Sequence, residues 1–295
     1  MTSWRLRSSY LAYGPPTEPV AFLSVLALGF GRMRVGLVRE GPVWLRDLDE
    51  ATTTACLESL VTELRKRGFV LACFTATDVA ALARLESLAP SNRDALFPFS
   101  IAEPESLVVP QAASDEETAR NFAPVARRAI RKAERAGFVV ESADSDEALR
   151  VAWPIWMQVH QFRSRYGRSR ASWRRLLERA RPLDTVRIYT ASIDGRPVQS
   201  ILVVRAGSRA TYVIGALDRE ALGDHSSPSC LLHFRAMRDS FAHGCTLYDL
   251  GSRSGPVYRF KSKFRPQERV HPVPVNLILE PATYPLVSWL LPRLR

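Results

Sequence analysis

Residues 246–264 read Thr-Leu-Tyr-Asp-Leu-Gly-Ser-Arg-Ser-Gly-Pro-Val-Tyr-Arg-Phe-Lys-Ser-Lys-Phe. Cys245 to Tyr248 predicts a short strand that ends on Asp249 and Gly251. A Gly/Ser loop follows, then the amphipathic run Val257–Phe264. Two of the four lysines of the chain, Lys261 and Lys263, lie here beside Arg253, Arg259 and Arg265. A strand ending in an acid, a flexible turn and a fixed cationic cluster suits the docking of a polyanionic group. A solvated basic turn is the plainer reading of the same residues.

Outward from this stretch the pattern is regular. Pro228 predicts a helix start and Gly244 its stop after His243. Before it come three hairpin-linked strands, Val186–Ile193, Val198–Arg205 and Ala210–Ala216, the first turn being Asp194-Gly195, a type I′ signal. Asn121 to Ala136 predicts a helix with Phe122, Ala126, Ala129, Ile130 and Ala133 on one face. Arg127, Arg131 and Arg135 recur at i, i+4 and i+8 on another, with Lys132 beside them; unopposed, these cations repel one another. That face reads either as solvated or as a phosphate-binding surface. Phe138–Glu141 predicts a strand, Asp144–Arg165 a helix interrupted at Pro154, and Trp173–Ala180 a further basic helix. His160, Arg163 and Arg165 fall within about two turns of one another. Downstream, a strand is expected near Val270–Leu279, and the apolar tail from Tyr284 is read as packing on the domain rather than touching membrane.

In the first half, Ser3–Tyr13 carries a helical pattern closed by Gly14-Pro15-Pro16. Strands are expected at 20–28 and 33–39, a helix from Leu48 to Arg67 with Leu57, Leu60, Val61 and Leu64 as its apolar stripe, and a strand at Phe69–Phe74. Residues 89–117 are interrupted by prolines and read as an inter-domain segment with a strand near Glu105–Val109. The expectation is an α/β chain (an α+β mixed sheet) of two domains, 1–118 and 119–295.

Length and charge bound the function. At 295 residues the chain can bury two cores. The net charge of +11 implies an anionic partner, but arginine supplies nearly all of the basic residues, and a compositional bias without function is the other reading. The four cysteines show no CxxC spacing and read as buried thiols; the five histidines show no metal-ligand spacing, so no metal is expected. Residues 20–30 are apolar but too short to span a bilayer. With no GxxxxGK[ST], no GxGxxG opening a helix, no GxSxG and no HRD/DFG set, kinase, P-loop ATPase, Rossmann dehydrogenase and α/β-hydrolase readings are weak.

The element order of the second half is similar to a GNAT-type acyltransferase domain. Ala126-Arg-Arg-Ala-Ile-Arg-Lys-Ala-Glu-Arg-Ala-Gly137 resembles the R-x-x-I-R-K-A-x-x-x-G start of the second domain of the FemABX family. Tyr248-Asp-Leu-Gly251 with Phe260-Lys261-x-x-Phe264 resembles that family's Y-D-x-G…F-K-x-x-F end, and Arg39-Glu-Gly41-Pro42 its R-G-P element with Glu inserted. The resemblance spans nearly the whole chain as two tandem GNAT-like domains. Two departures stand out: the strand that usually precedes the first helix is missing or the start is misplaced, and no long charged helical hairpin is inserted in the second domain.

The resemblance implies transfer of an aminoacyl or acyl group to an amine, with a peptidoglycan precursor of the cell envelope as acceptor, in a ternary complex. It implies no tightly bound cofactor, with aminoacyl-tRNA or acyl-CoA as co-substrate. It further implies a cytoplasmic monomer in peripheral contact with the inner face of the membrane. Lys261 would stabilise developing charge and Tyr212 would align substrate or donate a hydrogen bond. Arg165, with Arg163 as the nearby alternative, would hold an anionic group, and Asp249 would orient the loop. Lys263 and Arg259 would serve as secondary substrate cations; Arg127, Arg131, Lys132 and Arg135 would bind phosphate or tRNA. Each has a plainer role open to it: a half-buried strand tyrosine, a loop cap, a structural ion pair. Lys261 is hardest to explain away, since a Lys between Phe260 and Phe264 must run its stem along apolar surface. Two other readings stay open. One is an acyl-CoA-dependent N-acyltransferase, against which the pyrophosphate loop expected after Val213 is absent. The other is a non-catalytic, basic RNA- or membrane-surface-binding protein on the same fold.

Overall fold

The structure is a computed structural model that describes residues 5–15, 18–30, 33–39, 41–44, 47–75, 79–92, 105–158, 170–253, 257–270 and 275–290. The chain divides into two compact units, Met1–Pro104 with Val270–Arg295, and Glu105–Arg269.

The first unit is built on a seven-stranded sheet. Strands β1 (Arg5–Tyr13), β2 (Ala21–Phe30), β3 (Met33–Arg39), β4 (Val43–Trp44), β5 (Phe69–Thr75), β6 (Ser91–Asn92) and β14 (Val275–Ile278) run in the order β1-β2-β3-β5-β14-β6, with β4 on β2. Helix α1 (Glu50–Lys66) starts at Asp49, whose carboxylate accepts the Thr52 N–H at 2.7 Å. Its buried stripe Leu57, Leu60, Val61 and Leu64 packs with Phe69 and Phe74 of β5 and with Leu82 and Leu85 of α2 (Val79–Leu88). The opposite face of the sheet carries Val35, Leu37, Val70, Leu71 and Cys73, and Val287 of the C-terminal helix Tyr284–Leu290 covers it. Within the described part of the tail, Tyr284 and Val287 pack on the sheet, while Leu286 and Trp289 are exposed.

Two expectations are corrected here. Ser3–Tyr13 was expected to be helical, yet Arg5–Tyr13 is a strand paired residue for residue with β2, from Arg5↔Gly29 to Tyr13↔Ala21. The hydrogen-bonding edge of β2 outweighs a weak local helical pattern, and the strand thought missing is present. The boundary at 118 also moves. Glu105–Pro110 (β7) pairs with Leu247–Ser252 (β12) of the second unit, whereas β14 pairs antiparallel with β5, so the last residues of the chain return to the first unit.

The second unit contains a seven-stranded sheet. Besides β7 and β12 its strands are β8 (Val139–Ala143), β9 (Val186–Ile193), β10 (Arg196–Ala206), β11 (Arg209–Leu217) and β13 (Gln267–Val270). They lie in the order β13-β7-β12-β11-β10-β9-β8. The expected turn at Asp194-Gly195 joins β9 to β10, both residues at positive φ. After α3 (Asp115–Asn121), helix α4 (Pro124–Arg135) buries Ala126, Ile130 and Ala133 beside Leu231, Leu232 and Met237 of the helix Ser229–Ala242 on one face of the sheet. On the other face, α5 (Asp146–Met157) and α6 (Arg170–Ala180) bury Trp156, Trp173 and Leu177. Pro154 lies inside α5 without ending it. A short helix, α7 (Arg219–Leu222), follows β11; Ser229–Ala242 is α8, and α9 (Tyr258–Lys261) follows β12.

Candidate active site

The site begins with a split in this sheet. β11 and β12 run parallel but pair only at Arg209↔Leu247, Ala210↔Tyr248 and Thr211↔Asp249. Beyond that point β11 stays with β10 and β12 with β7, so the strands part from Tyr212 and Leu250 onward. A one-residue bulge sharpens the split. Tyr212 pairs with Val203 and Ile214 with Leu202, which leaves Val213 without a partner on β10. As a result Ala210, Tyr212 and Leu217 face the α4/α8 core, while Val213, Ile214 and Ala216 face the α5/α6 core. Gly215 permits this: a Cβ there would stand 2.8 Å from the Tyr212 hydroxyl and 2.6 Å from Ile201 Cγ2. The Tyr212 side chain therefore lies along its own strand over Gly215, beside the opening.

Lys261 closes the other side of the split. It ends α9, is 6% exposed, and its Nζ donates to the Ser252 carbonyl at 2.8 Å. The loop it reaches is set by Asp249, whose carboxylate accepts the Gly251 N–H at 2.7 Å and lies 3.7 Å from the Arg209 guanidinium. A Cβ on Gly251 would sit 3.7 Å from Nζ. Lys261 and Asp249 thus both hold the Gly251–Ser252 end of β12, and Tyr212 lies on the neighbouring strand where the two part.

Behind them lies a group that the sequence did not single out. His233 of α8 is 2% exposed, with its ring centroid 4.8 Å from Tyr212, 5.3 Å from Phe260, 5.9 Å from Phe264 and 6.1 Å from Tyr248. Its Nδ1 is 3.2 Å from the Tyr248 hydroxyl. Burial, and next the nearby Lys261 ammonium, lower the His233 pKa to about 3, so the imidazole is neutral at physiological pH. Burial raises the Tyr248 phenol well above its ordinary range. The clue present in the sequence was position: His233 stands at the apolar face of α8, where a histidine needs a partner.

The remaining predicted residues are distributed differently. Lys263 lies over the Phe260 ring at 5.9 Å and Arg259 is exposed on the same turn. Arg253 is paired with Glu268 at 3.1 Å, so part of the basic cluster is neutralised. Arg131, Lys132 and Arg135 are exposed and Arg127 half-buried on α4. The segment before α4 is tied to the Lys261 turn, because the Ala123 N–H donates to the Lys263 carbonyl at 2.9 Å. Arg163 and Arg165, with His160, lie outside the described residues. All four cysteines are free and buried, and burial raises their thiol pKa values, to about 11 for Cys56 and Cys73. Among the described residues no group of acids, histidines and cysteines is placed to hold a metal ion. No helix among them is long and apolar enough to cross a membrane.

Residues 120–262 match the family model described as an acetyltransferase (GNAT) domain, a span that runs from just before α4 to just past Lys261. No curated protein matches the chain in sequence. Among solved structures it is similar to FemX, with 15% identity, a TM-score of 0.74 and coverage of 96% of this chain and 90% of that one. L-PGS from Bacillus licheniformis is similar at 12% identity and TM-score 0.56, covering 91% and 86%. A tandem GNAT protein from the clavulanic acid biosynthesis pathway is similar at 13% and 0.51, covering 93% and 83%. The chain is therefore FemX-like in fold, built of two GNAT-like domains, the second of which carries the GNAT acetyltransferase match over residues 120–262.

Proposed function

We propose that the protein is a FemX-like acyltransferase that moves an aminoacyl or acyl group onto an amine, with donor and acceptor bound together. The observation that carries this reading is the buried Lys261 ammonium held at the mouth of the β11/β12 split. Attack of the amine nitrogen on the donor carbonyl makes a C–N bond and pushes charge onto the carbonyl oxygen. A fixed ammonium in a desolvated site stabilises that charge without reorganising. Collapse breaks the bond to the leaving group; the amine loses a proton and the leaving oxygen or sulfur gains one. Tyr212, lying along the opening, aligns the reactants or donates a hydrogen bond, and Asp249 holds the loop through the Gly251 N–H. Arg165 or Arg163 would hold an anionic group of the acceptor, with Lys263 and Arg259 as secondary cations.

Charge favours aminoacyl-tRNA over acyl-CoA as donor. The loop after β11 carries Asp218, Glu220 and Asp224 against Arg219. The Ala221 N–H, next burial opposing it, and then Gln158 at 2.8 Å act on the Asp218 carboxylate, and the net effect lowers its pKa, so it stays anionic where a pyrophosphate would lie. Arg127, Arg131, Lys132 and Arg135 on α4 supply the opposite sign for an RNA backbone. The GNAT family match favours the acyl-CoA reading and keeps it as the second candidate. A peptidoglycan precursor as acceptor, a monomer, and action at the inner face of the membrane complete the proposal.

The test offers charged tRNA and acyl-CoA pools separately with cell-envelope precursors and reads acylated product by mass spectrometry. Transfer from charged tRNA that Lys261→Ala abolishes is the expected result. Transfer from neither donor would overturn the proposal in favour of a non-catalytic basic binding protein.

A further inference from the structure

We propose that His233 is a positioning residue for Lys261: with Nδ1 engaged by the Tyr248 hydroxyl, its ring holds Tyr212, Phe260 and Phe264 in the arrangement that aims the ammonium at the split. The inference deepens the acyltransferase reading and rests on it for the kinetic part alone.

Three elements meet at this imidazole. Tyr212 approaches it edge-on from β11 at an interplanar angle of 76°, and Tyr248 from β12 at 87°. Phe260 and Phe264, on either side of Lys261 in sequence, close the third side and meet each other edge-to-face at 5.4 Å. Phe264 is in turn held edge-to-face by Phe122, at 5.1 Å. The lysine stem thus leaves a turn whose two aromatic anchors both rest on His233.

The charges agree with the packing. The titratable and charged groups facing His233 are Lys261, Tyr212 and Tyr248. Tyr248 keeps its proton, and the proposal gives it the donor role: its O–H donates to Nδ1, with the imidazole hydrogen on Nε2. A protonated imidazole here would place a second buried cation against the Lys261 ammonium and push it off the Ser252 carbonyl. Burial, and next the Lys261 ammonium itself, oppose that protonation.

The test uses the whole purified chain. Brief acylation of its lysines with acetic anhydride, read by peptide mass spectrometry, compares Lys261 with the exposed Lys66 and Lys132. Lys261 is expected to react at least about tenfold more slowly, and Tyr248→Phe or His233→Phe to remove about tenfold of that protection, with the double variant no worse than either. His233→Phe retains ring volume, so wild-type protection in that variant would show that packing alone matters and overturn the proposal. Should either variant fail to fold, histidine nitrogen NMR of the wild-type chain decides: the Nε2–H tautomer throughout pH 5–8 is required, and a protonated or Nδ1–H His233 overturns it. With a working transfer assay, Tyr248→Phe is expected to lower kcat about tenfold with KM moved less than about twofold; unchanged kcat overturns the role. Labelling and NMR need no turnover, so absence of transfer would count against the proposed function and leave His233 to be judged separately.

Discussion

The Lys261 ammonium donates to the carbonyl oxygen of Ser252 at 2.8 Å, joining the last residue of a one-turn helix to the end of the strand nine positions earlier. This bond ties the end of α9 to the end of β12 and places a cation where β11 and β12 separate. Replacement of Lys261 by Ala is expected to abolish transfer while the fold persists, since a buried charge and one hydrogen bond are removed together and the aromatic anchors remain. Circular dichroism checks the fold, and the mass-spectrometric assay checks transfer. Lys261→Arg is expected to recover little, because a planar guanidinium does not fit a site shaped for a point charge.

His233 makes stability depend on pH. Its folded pKa of about 3 lies below the ordinary value of 6.5, so the unfolded chain binds this proton first and acid favours unfolding. Its contribution is complete above about pH 6.5 and declines as pH falls towards 3, by about 2 kcal/mol at pH 5. Denaturant titrations at pH 7 and pH 5 measure the slope. His233→Phe is expected to flatten it.

Gly215 is expected to tolerate no side chain. An Ala Cβ would meet Ile201 Cγ2 at 2.6 Å and the Tyr212 hydroxyl at 2.8 Å. The Tyr212 ring must then leave its place beside His233. Gly215→Ala is expected to cost about 1–3 kcal/mol by chemical denaturation and to reduce transfer with it.

A buried network at the other end of β9–β11 carries stability. Arg205, 5% exposed, pairs with Asp184 at 3.0 Å and faces Asp239 at 3.8 Å, and Asp239 accepts the Tyr189 hydroxyl. His243 stands 3.4 Å from both carboxylates. Asp239→Ala is expected to destabilise by about 1–3 kcal/mol, because the buried Tyr189 hydroxyl loses its carboxylate acceptor and Arg205 keeps only Asp184 of the two carboxylates that face it. Arg205→Met, which removes the buried charge itself, is expected to cost less. Thermal melts of the two variants check the order.

The basic ridge of α4 is expected to act on the donor rather than on chemistry. Changing Arg127, Arg131 and Arg135 to Ala should weaken binding of charged tRNA and lower the slope of log affinity against log salt by about one for each phosphate that is no longer neutralised. Filter binding between low and moderate salt measures it. An unchanged slope would remove the ridge from the site.

Much of the second unit was readable from residues alone. The Asp194-Gly195 turn, the apolar stripe of α4 and the Phe260-Lys261-x-x-Phe264 spacing are local patterns, and local patterns obey backbone and side-chain periodicity. Helix α2 has little signature in the sequence, because a ten-residue apolar helix next to loop-like residues offers little contrast. Arg5–Tyr13 was misassigned because strand identity depends on the partner that supplies its hydrogen bonds. The return of β14 to the first sheet was invisible for the same reason, its partner Phe69–Thr75 being some two hundred residues earlier.

The stretch 246–264 by itself determined that a strand, an Asp-x-Gly turn and a lysine between two phenylalanines follow one another, because each depends on neighbours along the chain. Only the tertiary structure decided what the lysine meets. The parting of β11 from β12, the bulge at Val213 and the place of His233 among Tyr212, Tyr248, Phe260 and Phe264 come from contacts between segments far apart in sequence. Strand pairing and burial set those contacts, and neither is written in any single stretch of residues.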